Sequence, residues 1–368
     1  MVLYKGPAYR SQAEDTETAS KDIYVLPRDA GESERLQAQH DHLRRSLGGL
    51  LVHPSIDLNN ARIILDCCTG TGAWLKDARL SARPDTILEA CDITLEQYHR
   101  GTAKADDVFV QNILHRFPGE KRGRYDLIHQ RYLTGGISRE EWPKAISNVV
   151  EALRPGGCFN ITEPNLQTSP PSSADPEAIA NWKVQLKRIS WERNNLIQQC
   201  ANEIPALMRD AGLINVQTIR LRVPYGATCR ALGMTENQVE SSIRLHMSPS
   251  FDEVLKKLWI ASGKGTAEEF DQNQVIYEEF LREKGIWMDV SFVVGLSTQA
   301  SPKMPPKLKN PPASAFSEPS EPSVHKPEEN PKEQLTKPQE ENPQVIAQKP
   351  GDSENKGTRA EPPQKSKL

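Results

Sequence analysis

The sequence has no long hydrophobic run. No stretch approaches the ~18 consecutive apolar residues of a membrane-spanning helix, which excludes that class. Met1 to Arg10 lacks the apolar core of a secretory signal. Cysteine is sparse and unpatterned. The six residues (Cys67, Cys68, Cys91, Cys158, Cys200, Cys229) form no CxxC pair and share no ligand spacing with histidine. No metal site is expected on that ground, and a reducing cytoplasmic compartment is the expected location. Charge of one sign is missing too: 46 Lys plus Arg face 49 Asp plus Glu, a net −3. With no basic run of five and no N-P-P-[YFW] motif, the chain carries no nucleic-acid or membrane-surface footprint.

Apolar residues are also few, at 37%, against roughly 45–50% in a globular domain. The deficit is local. Of the 28 prolines, 14 fall between Ser301 and Leu368, among 11 basic and 10 acidic residues. Such a composition cannot offset the entropy of ordering, and a disordered tail is expected over 297–368. It leaves room for a protein partner, while the rest reads as ordinary globular sequence.

Residues 1–30 read as irregular, and 31–60 as a helix and connector. Leu36, His40, Leu43 and Leu47 share one face of that helix, which Gly48-Gly49 stops. His40 and His42 form no metal pattern and read as helix-face residues. From residue 61 the chain alternates strand and helix. Strands are expected at Arg62–Asp66, Thr86–Asp92, Val108–Asn112, Tyr125–His129 and Cys158–Thr162. Helices are expected over Gly70–Ala82 and from Pro143 to the Arg154-Pro155-Gly156-Gly157 stop. Residues 61–165 thus read as a ligand-binding core with a parallel sheet and right-handed crossovers. Residues 166–296 read as a helical cap with two final strands, Val216–Val223 and Ile286–Val294.

The informative stretch is Ile63-Ile64-Leu65-Asp66-Cys67-Cys68-Thr69-Gly70-Thr71-Gly72. An apolar strand enters a turn of small residues and then a helix. Small side chains let a nucleotide-like ligand lie against backbone, and the helix start offers free N–H groups. About twenty residues on, Asp92 closes the second strand, where an acid accepts hydrogen bonds from ribose hydroxyls. A dinucleotide fold would need a third glycine, and Leu75 stands there instead. Asp66 at the turn suits a cationic ligand group better than a pyrophosphate.

In this stretch the chain resembles the class I S-adenosylmethionine-dependent methyltransferases, whose first motif is an acid followed by G-x-G-x-G. Asp66, Cys68, Gly70 and Gly72 occupy that frame, with Cys68 departing from it at the first glycine. The resemblance narrows to the fungal secondary-metabolism methyltransferases, which include the LaeA-type regulators. It rests on Tyr24-Val25-Leu26-Pro27, Glu32-Ser33-Glu34-Arg35-Leu36, Gln39-His40, Gly70-Thr71-Gly72-Ala73-Trp74, Asp126 to Arg131 and Leu153-Arg154-Pro155-Gly156-Gly157. It covers about Tyr24 to Val294.

The resemblance implies a Rossmann-like α/β fold, with a seven-stranded, mostly parallel sheet and helices on both faces. It implies S-adenosyl-L-methionine as cofactor, held by Asp66, Cys68, Gly70, Gly72, Asp92, Ile93, Asn112 and Ile113. Asp66 would face the ammonium, Asp92 the ribose and Asn112 the adenine edge, with Ile93 and Ile113 as walls. His129, at the end of the fourth strand, is the candidate general base. Its alternative is a residue that shapes the pocket, since methyl transfer needs a base only when the acceptor must lose a proton. Arg131 and Tyr132 could contact substrate. Trp182, Trp191, Trp259 and Trp287 could line an aromatic acceptor cavity or pack the core.

The function implied is methyl transfer to an O or N atom of a small molecule, a secondary metabolite. The alternative is a LaeA-like nuclear regulator acting through protein partners. A nicotinamide-dependent oxidoreductase stands on the strand–turn–acid geometry alone.

Overall fold

The computed structural model describes residues 28–165, 178–197 and 199–298. The expected tail and the Tyr24–Pro27 motif lie outside the described residues. Asp29 opens the first helix, α1 (Ala30–Ser46), where its Oδ1 accepts the Glu32 amide at 2.9 Å.

Among the described residues, seven strands follow: β1 Ile63–Cys67, β2 Ile87–Asp92, β3 Asp107–Val110, β4 Tyr125–Arg131, β5 Leu153–Asn165, β6 Ile214–Tyr225 and β7 Ile286–Leu296. They form one sheet in the order β3-β2-β1-β4-β5-β7-β6. The first five pair in parallel, while β7 lies antiparallel between β5 and β6. The expected seven-stranded, mostly parallel sheet is present.

Side chains alternate across each strand, so neighbouring apolar residues enter different cores. Ile64, Leu88 and Leu127 pack under α2 (Ala73–Ser81) through Trp74, Leu75 and Ala78. Leu65, Ile128 and Phe159 pack on the other face, under α4 (Trp142–Ala152) and α6 (Cys200–Asp210). Helices therefore cover both faces, as continuous apolar strands require. The short helix α3 (Glu96–Arg100) follows β2. The sequence from 178 onward supplies α5 (Ala178–Arg193), α7 (Glu236–His246), α8 (Pro249–Ala261) and α9 (Ala267–Glu283). Trp182 of α5 meets Trp259 of α8 and Phe270 and Tyr277 of α9 at ring separations of 5.3–6.3 Å. No described helix is long and apolar enough to cross a membrane.

Several boundaries differ from expectation. The helix after β1 starts at Ala73, not Gly70, because Gly70 and Gly72 both hold left-handed backbone that breaks helical geometry. β3 ends at Val110, which leaves Asn112 in the following loop. The helix before β5 ends at Ala152, and the Arg154–Gly157 stretch belongs to β5. β5 also runs on to Asn165, where polar residues pair with β7: Glu163 with Ser291 and Asn165 with Asp289. An apolar run marks the buried centre of a strand, and backbone pairing continues past it.

Candidate active site

In an open sheet, ligands bind beyond the strand C-termini where the strand order reverses. Here that point lies between β1 and β4. A cavity of about 170 Å³ occupies it. Its walls follow successive strands: Cys68–Thr71 after β1, Asp92–Thr94 after β2, Gln111–Ile113 after β3, and Arg131–Leu133 with Gly136 and Ile137 at and after β4. Arg28 and Gln97 also line it, and Leu36 and Gln39 of α1 close one side.

The turn after β1 is left-handed at three places. Cys68, Gly70 and Gly72 have φ of 57°, 55° and 73°. For cysteine this costs about 1 kcal/mol or more. A Cβ on Gly70 would meet only Leu36 Cδ1, at 3.5 Å. Gly72 is different. A Cβ there would lie 2.5 Å from the Ala103 Cβ and 3.0 Å from the Tyr98 ring. Gly72 therefore seats α2 against neighbouring protein, and it does not line the cavity.

Asp92 faces the cavity and ties two loops together. Its Oδ2 accepts the Gly70 amide at 2.8 Å and its Oδ1 the Ile93 amide at 2.7 Å. Burial raises its carboxyl above the usual range, against these backbone donors. The carboxylate has about four lone-pair sites, so an acceptor remains for a ligand hydroxyl beside the Gly70, Ile93 and Thr94 amides. Ile93 and Ile113 also line the cavity. Asn112 lines it through an Asx-turn. Its Oδ1 accepts the Leu114 amide at 2.9 Å, so its amide NH₂ is the end left for a ligand.

Asp66, Gly72 and His129 do not reach the wall. Asp66 is 2% exposed. Its Oδ2 accepts the Thr69 hydroxyl at 2.6 Å, and its Oδ1 lies 2.9 Å from His129 Nδ1. Thr69, not Asp66, lines the cavity. The His129 ring stacks on Trp74 at 3.8 Å and 2°, and is 1% exposed. Burial lowers its pKa, with Asp66 pulling the other way. A neutral ring with Nδ1–H toward Asp66 leaves Nε2 without a described partner.

His129 thus sits behind the turn and lines neither cavity. His129→Leu is expected to lower thermal stability by about 2 kcal/mol, through loss of the hydrogen bond to Asp66, and to leave the pH profile of kcat unchanged. A general base would instead cost about 10²–10⁴ in kcat and shift that profile. Melting curves and pH–rate profiles separate the two.

A second cavity, of about 210 Å³, adjoins the first through shared Leu36, Gln39 and Tyr132. Glu163, Lys187, Trp191, Tyr225, His246 and Phe251 are among its walls. Of the four tryptophans after β5, only Trp191 lines a described cavity; Trp182 and Trp259 belong to the aromatic cluster above. The Tyr132–Gly136 loop divides the cavities, and Glu163 holds it. Its Oε1 accepts the Leu133 amide at 2.7 Å and its Oε2 the Thr134 amide at 3.1 Å, with the Thr134 hydroxyl beside it.

Burial pushes Glu163 up to about 7, partly offset by those donors. A raised folded pKa stabilises at low pH, and that stability is lost as pH rises from the ordinary carboxyl value of 4.5 to about 7. Glu163→Gln is expected to melt lower throughout, and to lose this part of the Tm slope between those pH values. Thermal melts across that window test it.

Glu163, Lys187 and His246 had no sequence signal, since each stands alone in its segment and only the fold brings them together. Thr69 was readable as a member of the turn. Among the described residues, no group of three His, Cys, Asp or Glu side chains is placed to hold a metal ion.

A family model described as a methyltransferase domain matches residues 39–218, from the middle of α1 into β6. The N-methyltransferase verN of Clonostachys rogersoniana is 29% identical over 217 residues, covering 58% of this chain and 72% of verN. The N-methyltransferase gliN of Aspergillus fumigatus is 26% identical over 217 residues, 56% of this chain and 74% of gliN. The secondary metabolism regulator laeA of Aspergillus fumisynnematus is 24% identical over 223 residues, 59% of this chain and 57% of laeA. A Haemonchus contortus phosphoethanolamine N-methyltransferase structure matches at a TM-score of 0.39 and 16% identity, over 75% of this chain and 55% of that one. The matched region contains all four strand-end segments of the first cavity, and residues 39–218 are similar to the methyltransferase domain family.

Proposed function

We propose that the first cavity holds S-adenosylmethionine and the second holds a small-molecule acceptor, methylated at an O or N atom in a secondary-metabolite pathway. The observation that carries this reading is the junction of the two cavities at Leu36, Gln39 and Tyr132, beyond the C-terminal ends of β1 and β4. The residues fit the cofactor. Asp92 offers acceptors for the ribose hydroxyls, and Gly70 leaves backbone open beside it. Asn112 offers a donor to a ring nitrogen of adenine, and Ile93 and Ile113 offer apolar walls. Thr69 fronts the negative charge of Asp66 for the ammonium end.

When bound, the cofactor supplies an activated methyl on a sulfonium. The protein's part is to align acceptor and methyl and to exclude water, and alignment alone supplies several kcal/mol of barrier reduction. The Tyr132–Gly136 loop, pinned by Glu163, forms the wall through which the two ligands would meet.

The test compares small-molecule extracts of the source strain and a deletion strain, with purified protein and S-adenosylmethionine added back to the accumulated compound. Loss of one methyl group from one compound family, restored by the protein, is the expected result. Silencing of many pathways with no restored methylation would favour a regulator of the laeA kind.

A further inference from the structure

We propose that the acceptor carries an anionic oxygen on a planar ring system, and that Lys187 binds that oxygen. This rests on the second cavity being the acceptor pocket. Trp191, Phe251, Tyr225 and Tyr132 supply its aromatic walls, with the first two rings edge-on at 6.2 Å. Flat apolar walls of this kind suit a planar ring system.

Lys183 and Lys187 lie one turn apart on α5, and one acid, Asp252 of α8, serves both. Lys183 takes it, with Nζ 2.7 Å from the Asp252 Oδ1 and 3.3 Å from Gln274 Oε1. Lys187 Nζ lies 5.6 Å from the centre of the Phe251 ring, and among the described residues no carboxylate lies within ion-pair distance of it. The other charged groups of the cavity are engaged. Arg35 holds Glu32 at 2.7 Å, and Glu163 accepts from the loop it pins. His246 Nε2 lies 2.9 Å from the Tyr277 hydroxyl, and burial beside two lysines keeps the ring neutral. Lys187 is thus the charged side chain left to meet a ligand.

A part-buried amine without its own counter-ion is disfavoured in its charged form. Burial and the Lys183 charge pull Lys187 down to about 7, with Asp252 opposing. The groups facing it are Lys183 on its own helix, His246 on α7 and Asp252 on α8. An oxygen anion on Nζ restores the charged form through a charge-assisted hydrogen bond. Anion binding therefore weakens as pH rises above about 7.

The experiment uses the full chain. S-adenosylhomocysteine is titrated first by calorimetry, and the loaded protein is then titrated with naphthoate and with its neutral isostere naphthamide. Naphthoate is expected to bind about tenfold or more tighter than naphthamide below pH 7, and to lose that preference at alkaline pH. Lys187→Met should bind naphthamide as wild type does and lose the preference, while Lys187→Arg should retain it. Equal affinities in the loaded wild type, binding of neither probe, or a preference that survives in Lys187→Met overturns the assignment of Lys187 alone. Absence of S-adenosylhomocysteine binding overturns the cofactor reading beneath it, and this proposal with it.

Discussion

Asp92→Ala is expected to weaken S-adenosylmethionine binding by about 10²–10⁴-fold. The estimate follows from two ribose hydroxyls on one carboxylate, each hydrogen bond to a charged group being worth roughly 1.5–3 kcal/mol. The side chain is already committed to the protein, which enlarges the effect. Its oxygens hold the Gly70 and Ile93 amides at 2.8 and 2.7 Å. Removing them frees the turn after β1 and leaves part-buried N–H groups without their acceptor. Asp92→Asn keeps one carbonyl oxygen and should fall between wild type and alanine. Calorimetric titration checks the order. Equal affinity in all three would remove Asp92 from the cofactor site.

Trp74→Ala is expected to cost about 4 kcal/mol of stability, in the range of buried tryptophan truncations. For a unit of this size that lowers Tm by about 10 °C. Trp74 is 1% exposed in the first turn of α2, two residues after Gly72. Its ring covers His129, and its Nε1 donates to the Leu51 carbonyl at 2.9 Å. Truncation opens a void beneath the turn, strands the Leu51 carbonyl and frees the His129–Asp66 pair. Trp74→Phe refills most of the void but not the hydrogen bond, and should cost about 1–2 kcal/mol. A melting point for Trp74→Ala within a few degrees of wild type would show that the turn does not depend on this packing.

The sheet was legible because its strands are short apolar runs separated by helical periodicity. Ile63-Ile64-Leu65 and Ile286 to Val294 are of this kind. Strand ends were less legible. Glu163 and Asn165 look like loop residues, yet they pair with β7. The turn after β1 was readable as small residues before a helix, but the separate duties of its members were not. Gly70 opens on the cavity, whereas Gly72 is required by Tyr98 of α3 and Ala103 of the loop after it. His129 was placed near the chemistry by its position on β4. Its ring turns instead onto Trp74 and Asp66, a pairing that depends on how α2 packs. The second cavity was hidden because β5, α5, α7 and α8 each contribute isolated residues with no spacing in common.

The decisive measurement is a crystal structure of the protein with S-adenosylhomocysteine. The ribose hydroxyls are expected on the Asp92 carboxylate, the adenine beside Asn112 and Ile113, and the sulfur facing the second cavity across Tyr132. Ligand seated outside the first cavity, or with its sulfur turned away from Tyr132, would overturn the assignment of the two cavities.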